Sequence, residues 1–588
     1  MSTRIIRHPP AAPGIAIGRA HLVTIAPAPV PTYWITDTEV AGEIQRFRRA
    51  LQQSKRQLTS IKNKLCRFQG REQIQILDSH LLLIQDELLV TRAIQQIANQ
   101  KINAEWAVEK TLEQIRLAFL ETRERYLQER RSDIDYIGRR LMKNLAGEGE
   151  PDLRAAPYPA VILVVNDLSP AEVAALPRRR IRGFVTATGG NTSHTAIIAR
   201  SLELPAMVGN ERALHHIKEG DHVILDGNAG KLLIRPTVRQ IASYRKQQRA
   251  DEKERRTLLK EGHLPAVTRD GRRVTLAANI ELIDEIPTAL EYGAEEIGMY
   301  RTEYLYLNRS DLPTEEEHYR NYREAVERMA PRPVTIRTLD IGGDKLFAHA
   351  EYQEHTNPAL GLRAIRFCLR EREMFRAQLR AIYRASARGA VRILFPLIST
   401  VDELRELRVL VREVQAELRK SRRPFNPDVP LGAMIEVPSA ALVAEHLAPH
   451  VQFFSIGTND LTQYSLAIDR TNEHVAYLFH PLHPSVLRLI HQTVQSAKRH
   501  GIPVTICGEM AAEPLALLPL LGLELDGLSM NPISIPRVKR LLWKADAAQA
   551  AALAAQLTAA ATATEAEAMA QRALQALEAD ANRAADTP

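Results

Sequence analysis

The spacing of apolar residues changes character several times along the chain, and each change predicts a different element. From Pro13 to about Thr24 apolar and small residues alternate between glycines, which predicts a strand. From about Asp37 to Leu145 the spacing turns helical. Runs such as Glu43-Ile44-Gln45-Arg46-Phe47 onward, and Ile74 to Leu89, put apolar residues at i, i+3 and i+4 with few glycines or prolines. The expectation is a bundle of helical hairpins. Strand patterns resume at Ala160–Val165, Gly183–Thr186 and Val223–Gly227, so the helices read as an insertion into one α/β unit. Between Pro236 and about Leu264 the chain becomes strongly charged, with both signs at helical spacing through Gln247-Gln248-Arg249 and Asp251–Arg256. That pattern predicts an exposed linker helix and a domain boundary.

Beyond the linker, short apolar runs alternate with amphipathic helices. The candidate strands are Val274–Ile280, Ile297–Arg301, Val334–Ile341, Val391–Ile398, Leu431–Val437, Gln452–Thr458, Pro503–Cys507 and Leu525–Met530. Eight such units predict a (β/α)8 barrel. Arg301, Arg337 with Asp340, Glu436, Asn459 with Asp460, and Cys507 fall in or just beyond the ends of different strands. In a barrel those ends share one rim. The segment Lys544–Pro588, rich in Ala, Glu and Gln, predicts a terminal helix followed by a frayed end. The expected organisation is a multidomain α/β chain. Residues 1–36 with 146–235 form an α/β domain, 37–145 a helical insert, 236–264 a linker helix, 265–543 a TIM barrel, and 544–588 a C-terminal helix and tail.

Composition narrows the class. A length of 588 residues suggests roughly four compact units. The N-terminus has no continuous apolar stretch of the secretory kind, and no apolar run approaches a membrane span, so a cytoplasmic protein without membrane insertion is expected. Cys66, Cys368 and Cys507 are far apart and form no Cys-x-x-Cys, which argues against a disulfide framework and a zinc site. A formal net charge of +8 invites a nucleic-acid reading. Aromatics are only 5%, however, and the basic residues are interleaved with acids. The charge is better read as a solvated surface plus anion-binding arginines.

Candidate chemistry begins at Gly189-Gly190-Asn191-Thr192-Ser193-His194-Thr195, which leads into the apolar run Ala196-Ile197-Ile198. The glycines permit a sharp turn and the apolar run opens a helix. His194 is thereby placed in or beside a first turn, where unpaired N–H groups and the helix dipole favour anions. Arg200, about two turns on, is a cation within reach. In the barrel half, arginines recur in Tyr300-Arg301-Thr302-Glu303, Ile336-Arg337-Thr338-Leu339-Asp340, Gly361-Leu362-Arg363 and Ile468-Asp469-Arg470. Their forked donors suit phosphate and carboxylate. Met434-Ile435-Glu436-Val437-Pro438 and Thr458-Asn459-Asp460-Leu461 offer one carboxylate from each of two neighbouring strands, the usual protein share of a magnesium site. Singly, a histidine beside glycines caps a helix and an arginine makes a surface ion pair. Recurrence at strand ends argues for one shared site. No glycine-rich loop followed by Lys-Ser/Thr was found.

The words Gly-Gly-x-Thr-Ser-His-Thr and Ser201-Leu202-Glu203-Leu204-Pro205-Ala206-Met207-Val208-Gly209, together with the barrel motifs, closely resemble enzyme I of the bacterial phosphoenolpyruvate:sugar phosphotransferase system. The resemblance spans nearly the whole chain. Pyruvate phosphate dikinase and phosphoenolpyruvate synthase share its swivelling phosphohistidine domain. The resemblance implies that His194 takes the phosphoryl group of phosphoenolpyruvate as a tele-phosphohistidine. It then passes the group to a histidine of the small carrier HPr docked on the helical insert, and pyruvate is released. It implies that Arg301 and Arg337 grip the phosphate, and that Arg470 and Asn459 hold the carboxylate end. Glu436 and Asp460 would ligate Mg2+, with Asp460 also facing the substrate, and Lys345 and Arg363 would complete the cationic pocket. Cys507 matches the cysteine that protonates the enolate carbon. Ser169, Thr195 and Arg200 are assigned to supporting the phosphohistidine. A homodimer through the barrel is implied as well.

Two departures stand out. Asn191 replaces the arginine common in enzyme I, which predicts a tuning effect, and the stretch Arg71-Glu72-Gln73-Ile74-Gln75 carries fewer acids than the family's docking helices, which bears on the identity of the carrier. A nitrogen-regulatory paralogue acting on an NPr-type carrier is the alternative. A synthase or dikinase needs a further nucleotide-binding domain, for which this length leaves no room.

Overall fold

Strand β2 (Ile15–Val23) buries Ala16, Gly18 and Ala20, every second residue, as its alternation requires. This computed structural model describes residues 3–585 except 10, 13, 24–29, 66–80, 82, 85, 122–124, 148–157, 167, 169–172, 174–175, 177–179, 188–198, 200–203, 307–310, 343–357, 470–471 and 473–474. Around β2 runs a seven-stranded sheet in the order β1-β7-β6-β2-β3-β4-β5. The other strands are β1 (Arg4–Arg7), β3 (Val161–Val165), β4 (Ile181–Thr186), β5 (Ala206–Met207), β6 (His222–Asp226) and β7 (Lys231–Ile234). β2 pairs antiparallel with β6 and parallel with β3, and β3, β4 and β5 continue in parallel.

Parallel neighbours cannot be joined by a tight turn. The crossover from β2 to β3 carries the helices Val40–Leu65, Glu87–Gln100, Ala104–Glu121 and Arg125–Leu145, whose apolar faces close a separate core around Phe47, Leu58, Val108 and Leu141. Of the helical run expected from Ile74 to Leu89, residues 74–80, 82 and 85 lie outside the described residues. Strands β1, β5 and β7 were not anticipated. β5 has two residues, β1 is a largely exposed edge, and β7 is created by its hairpin with β6.

One helix, Val238–Glu261, occupies the charged stretch. Its start is capped reciprocally: Gln240 N donates to Thr237 Oγ1 at 3.2 Å and Thr237 N donates to Gln240 Oε1 at 2.8 Å. The chain divides into two compact units, Met1–Lys253 and Glu254–Pro588, and the division falls inside this helix. Just past its end, the buried Lys539 ammonium donates to Gly262 O at 2.6 Å and Gly293 O at 3.3 Å.

The second unit is a closed barrel of eight parallel strands: β8 (Thr275–Ile280), β9 (Glu296–Tyr300), β10 (Val334–Arg337), β11 (Val391–Phe395), β12 (Leu431–Ile435), β13 (Phe453–Ile456), β14 (Val504–Ile506) and β15 (Gly527–Met530). Alternation divides their side chains. Leu276, Ala278, Ile280, Val334, Ile336, Ile393, Phe395, Ala433 and Ile435 join the core shared with the outer helices. Met299, Leu394, Met434, Phe453 and Cys507 form a second, small cluster from the interleaved positions, the barrel interior. Arg337 follows outward Ile336 and so ends its strand on the interior side.

The tail differs from expectation. Instead of one helix there are two, Ala547–Ala559 and Ala563–Ala585, packed onto the barrel core, and residues 586–588 of the expected frayed end lie outside the described ones. Ala550, Ala554 and Leu557, and then Ala566, Ala570 and Leu574, repeat at helical spacing on the buried side. Their small side chains allow close approach: a Cβ on Gly522 would collide with the carbonyl of Ala550. An alanine-rich composition hid this, because it shows strong helix propensity with few large apolar residues. Leu557→Ala is expected to lower the stability of the barrel unit by about 2–5 kcal/mol, read from its chemical denaturation midpoint. A freely fraying tail would leave that midpoint unchanged.

Candidate active site at the barrel mouth

An alternating row of charges spans the strand ends. The Arg337 guanidinium, on a residue only 8% exposed, lies 3.1 Å from Glu303 Oε1 and 2.8 Å from Asp340 Oδ2. The other oxygen of Asp340 accepts from Arg363 Nη2 at 2.8 Å, and the same nitrogen lies 3.2 Å from Asp460 Oδ2. Burial opposes the charge of both arginines. The summed field of Glu303, Asp340 and Glu436 outweighs it at Arg337, as that of Asp340 and Asp460 does at Arg363, so both pKa values rise. Arg363 Nη1 also donates to the Tyr464 hydroxyl at 3.3 Å.

Glu436, just past β12, is 2% exposed and accepts from Leu397 N at 2.7 Å. To present that N–H, Leu397 holds a φ of 56°, a left-handed conformation a leucine rarely adopts. Burial, then the negative charges of Asp340 and Asp460, push the Glu436 carboxyl up to about 8, against the opposing pull of Arg337 and Arg363. The close packing depends on glycine. A Cβ on Gly457 would stand 2.6 Å from Glu436 Oε2, and one on Gly508 would collide with Thr458.

Asn459 and Glu509 are bonded both ways, with Asn459 Nδ2 donating to Glu509 Oε1 at 3.2 Å and Glu509 N to Asn459 Oδ1 at 3.3 Å. Arg301, beyond β9, pairs with Glu281. The Cys507 thiol is buried and donates to Ile456 O at 3.5 Å. Burial pushes its pKa up to about 11. The charges of Arg337 and Arg301 act against that rise, while Glu436 adds to it. Cys507 is therefore a protonated thiol at neutral pH. Its carbonyl accepts from Asn279 Nδ2 at 2.9 Å.

The described residues thus bring Arg337, Arg363, Asp460 and Glu436 into one electrostatic cluster, with Cys507 and Arg301 within its field and Asn459 beside Asp460. His194, Ser169, Thr195, Arg200, Lys345 and Arg470 lie outside the described residues, as does Asn191. Among the described residues no three His, Cys, Asp or Glu side chains converge as a self-sufficient metal site. Glu436 and Asp460 nonetheless suit a hard divalent cation completed by water and substrate oxygens, because the repulsion that raises Glu436 is what such a cation would discharge. Sequence reasoning gave no role to Glu303, Glu281, Tyr464 or Glu509. Glu303 carried a usable signal, as a carboxylate two residues beyond Arg301 at a strand end.

The chain matches the PEP-utilising enzyme N-terminal domain over residues 9–130, the mobile domain over 157–230 and the PEP-binding domain over 255–547. It is 43% identical to the phosphoenolpyruvate-protein phosphotransferase of Haemophilus influenzae, over 90% of this chain and 92% of that protein. Against the enzyme of the same name from Cupriavidus necator the identity is 42%, over 90% and 92%. The chain belongs to the phosphoenolpyruvate-protein phosphotransferase family. A solution NMR structure of an enzyme I protein, nEIt, is 34% identical with a TM-score of 0.38, covering 42% of this chain and 99% of its own. In the family's domain terms, the charge cluster falls in the PEP-binding match, and strands β3 to β6 fall in the mobile-domain match.

In metal-free protein the folded state keeps the Glu436 proton to about 8, against a usual 4.5. Folding therefore takes up a proton between those values, so this contribution is full below 4.5 and is lost as pH rises through 8. Thermal unfolding in chelator from pH 5 to 9 should show barrel stability declining across that window, and Glu436→Gln should flatten the decline. Gly457→Ala should cost the barrel about 1–3 kcal/mol by overpacking in the same assay, because Glu436 has nowhere to retreat.

Proposed function

We propose that this chain transfers the phosphoryl group of phosphoenolpyruvate to its own His194 and then to a histidine of an HPr-like carrier, releasing pyruvate. The observation that carries the reading is the charge cluster at the barrel mouth, where a buried arginine still lacks an acceptor. Among the described residues Arg337 Nε is buried without a hydrogen-bond partner. A phosphate oxygen is the natural acceptor for it. Arg301 and Arg337 grip the phosphate, Asn459 and Arg470 hold the carboxylate, and Lys345 and Arg363 complete the cationic wall. Glu436 and Asp460 are the Mg2+ ligands, and bound Mg2+ would neutralise charge on the phosphoryl group.

Neutral His194 attacks phosphorus through its Nε2 lone pair. The ester P–O bond breaks and its electrons stay on the enolate. The Cys507 thiol, held protonated by burial, gives its proton to the methylene carbon and regains one from water. Arginines fixed in advance by Glu303, Asp340 and Asp460 supply most of the catalysis as electrostatic preorganisation. Ser169, Thr195 and Arg200 support the phosphohistidine, and the helical insert is the carrier's dock. No described helix is long and apolar enough to cross a membrane, and Cys368 and Cys507 are unpaired, which supports a cytosolic site of action. The reading includes a homodimer through the barrel.

Incubation with 32P-labelled phosphoenolpyruvate and Mg2+ should leave acid-labile label on the wild type and none on His194→Ala. The label should move on to an added HPr-type carrier. Label retained by His194→Ala would overturn the reading.

A further inference from the structure

We propose that Gln378 is a positioning residue that holds Arg337 and Asp340 in their working geometry. The proposal rests on the phosphoryl-transfer reading above. Gln378 lies on the helix Arg372–Ala385, whose stripe of Phe375, Leu379 and Ile382 packs into the barrel core. Gln378 shares that stripe and is 0% exposed. An amide in such a place is costly unless its polar atoms are paired. Here they are. Its Nε2 donates to Thr302 Oγ1 and to the Tyr322 hydroxyl, both at 3.1 Å, and its Oε1 accepts from Leu339 N at 3.2 Å.

The amide has only one permitted orientation. A backbone N–H can only donate, so Oε1 faces Leu339. Thr302 Oγ1 commits its proton to the carbonyl of Arg337 at 3.0 Å, so it must accept from Nε2. One side chain therefore ties together the residue after Arg301, the carbonyl of Arg337 and the second residue beyond Arg337.

The position matters because the sheet ends there. Thr338 N still donates to the neighbouring strand β11, at Leu394 O, 3.0 Å away. The next two N–H groups go to side chains instead: Leu339 N to Gln378 and Asp340 N to Glu303 Oε1 at 3.1 Å. The turn that carries Asp340 off the sheet is thus held by two side-chain acceptors. Asp340 in turn pairs with both Arg337 and Arg363. Gln378 touches no reacting atom and acts through those three.

The test uses the full-length protein with Mg2+ and a carrier. Gln378→Met removes the polar pattern at similar volume. Gln378→Glu keeps the shape but has at most one O–H and cannot donate to both Thr302 and Tyr322. Thr302→Val removes the hydroxyl that joins Gln378 Nε2 to the Arg337 carbonyl while leaving the bond to Leu339 N in place. Thermal unfolding identifies which variants fold. In every folded variant KM for phosphoenolpyruvate should rise about tenfold, with a smaller change in kcat. In an Arg337→Lys background the same substitutions should have no further effect, because the residue they act through is already altered. An unchanged KM in folded variants, or equal losses in both backgrounds, would overturn the role of Gln378. If Arg337→Lys alone leaves turnover unchanged, the phosphate-binding reading fails and this one fails with it.

Discussion

Burying two guanidiniums among carboxylates is the constraint on which the barrel mouth depends. Glu303, Asp340, Asp460 and Glu436 hold Arg337 and Arg363 charged, and the arginines keep the acids from repelling one another apart. Deleting one member of such a row strands another in a medium that solvates it poorly. Among the described residues the acids of the mouth outnumber the arginines, and Arg337 Nε lacks an acceptor. A site in that condition accepts a metal together with an oxyanion more readily than either alone. Its dipoles are already aimed when the substrate arrives.

Much of this was legible in the chain because barrel strands write a simple code. Short apolar runs at regular intervals located all eight strands, and polar residues at their ends marked the rim. Alternation also tells Arg337 from Ile336, one facing the interior and the other the helices. What escaped were contacts that depend on partners remote in sequence. Gln378 looks like one polar residue on an apolar helical stripe until Thr302 and Leu339 are brought beside it. The edge strand β1 reads as a charged N-terminus until β7 pairs with it. The alanine stripe of the last two helices was hidden for a related reason, since only the neighbouring Gly522 shows how close those backbones must come.

Glycine sets a second limit on the site. At Gly457 and Gly508 the missing side chain is space already occupied by Glu436 and Thr458. With Leu397 in a left-handed conformation to serve the same carboxylate as Gly457, two backbone features converge on one oxygen pair. Structural cost concentrated in this way marks where geometry is least negotiable.

The threading of the first sheet has a consequence for biosynthesis. β2 leaves the ribosome early, yet neither of its neighbours exists until the chain has passed residue 160 for β3 and residue 221 for β6. The helices made in between close on themselves through local contacts, which form fast. The nascent chain can therefore complete its helical lobe while the strand that will become the middle of the sheet waits unpaired. A strand left waiting invites the wrong neighbour, so the interval between translating β2 and translating β6 is when this protein is most exposed to misassembly.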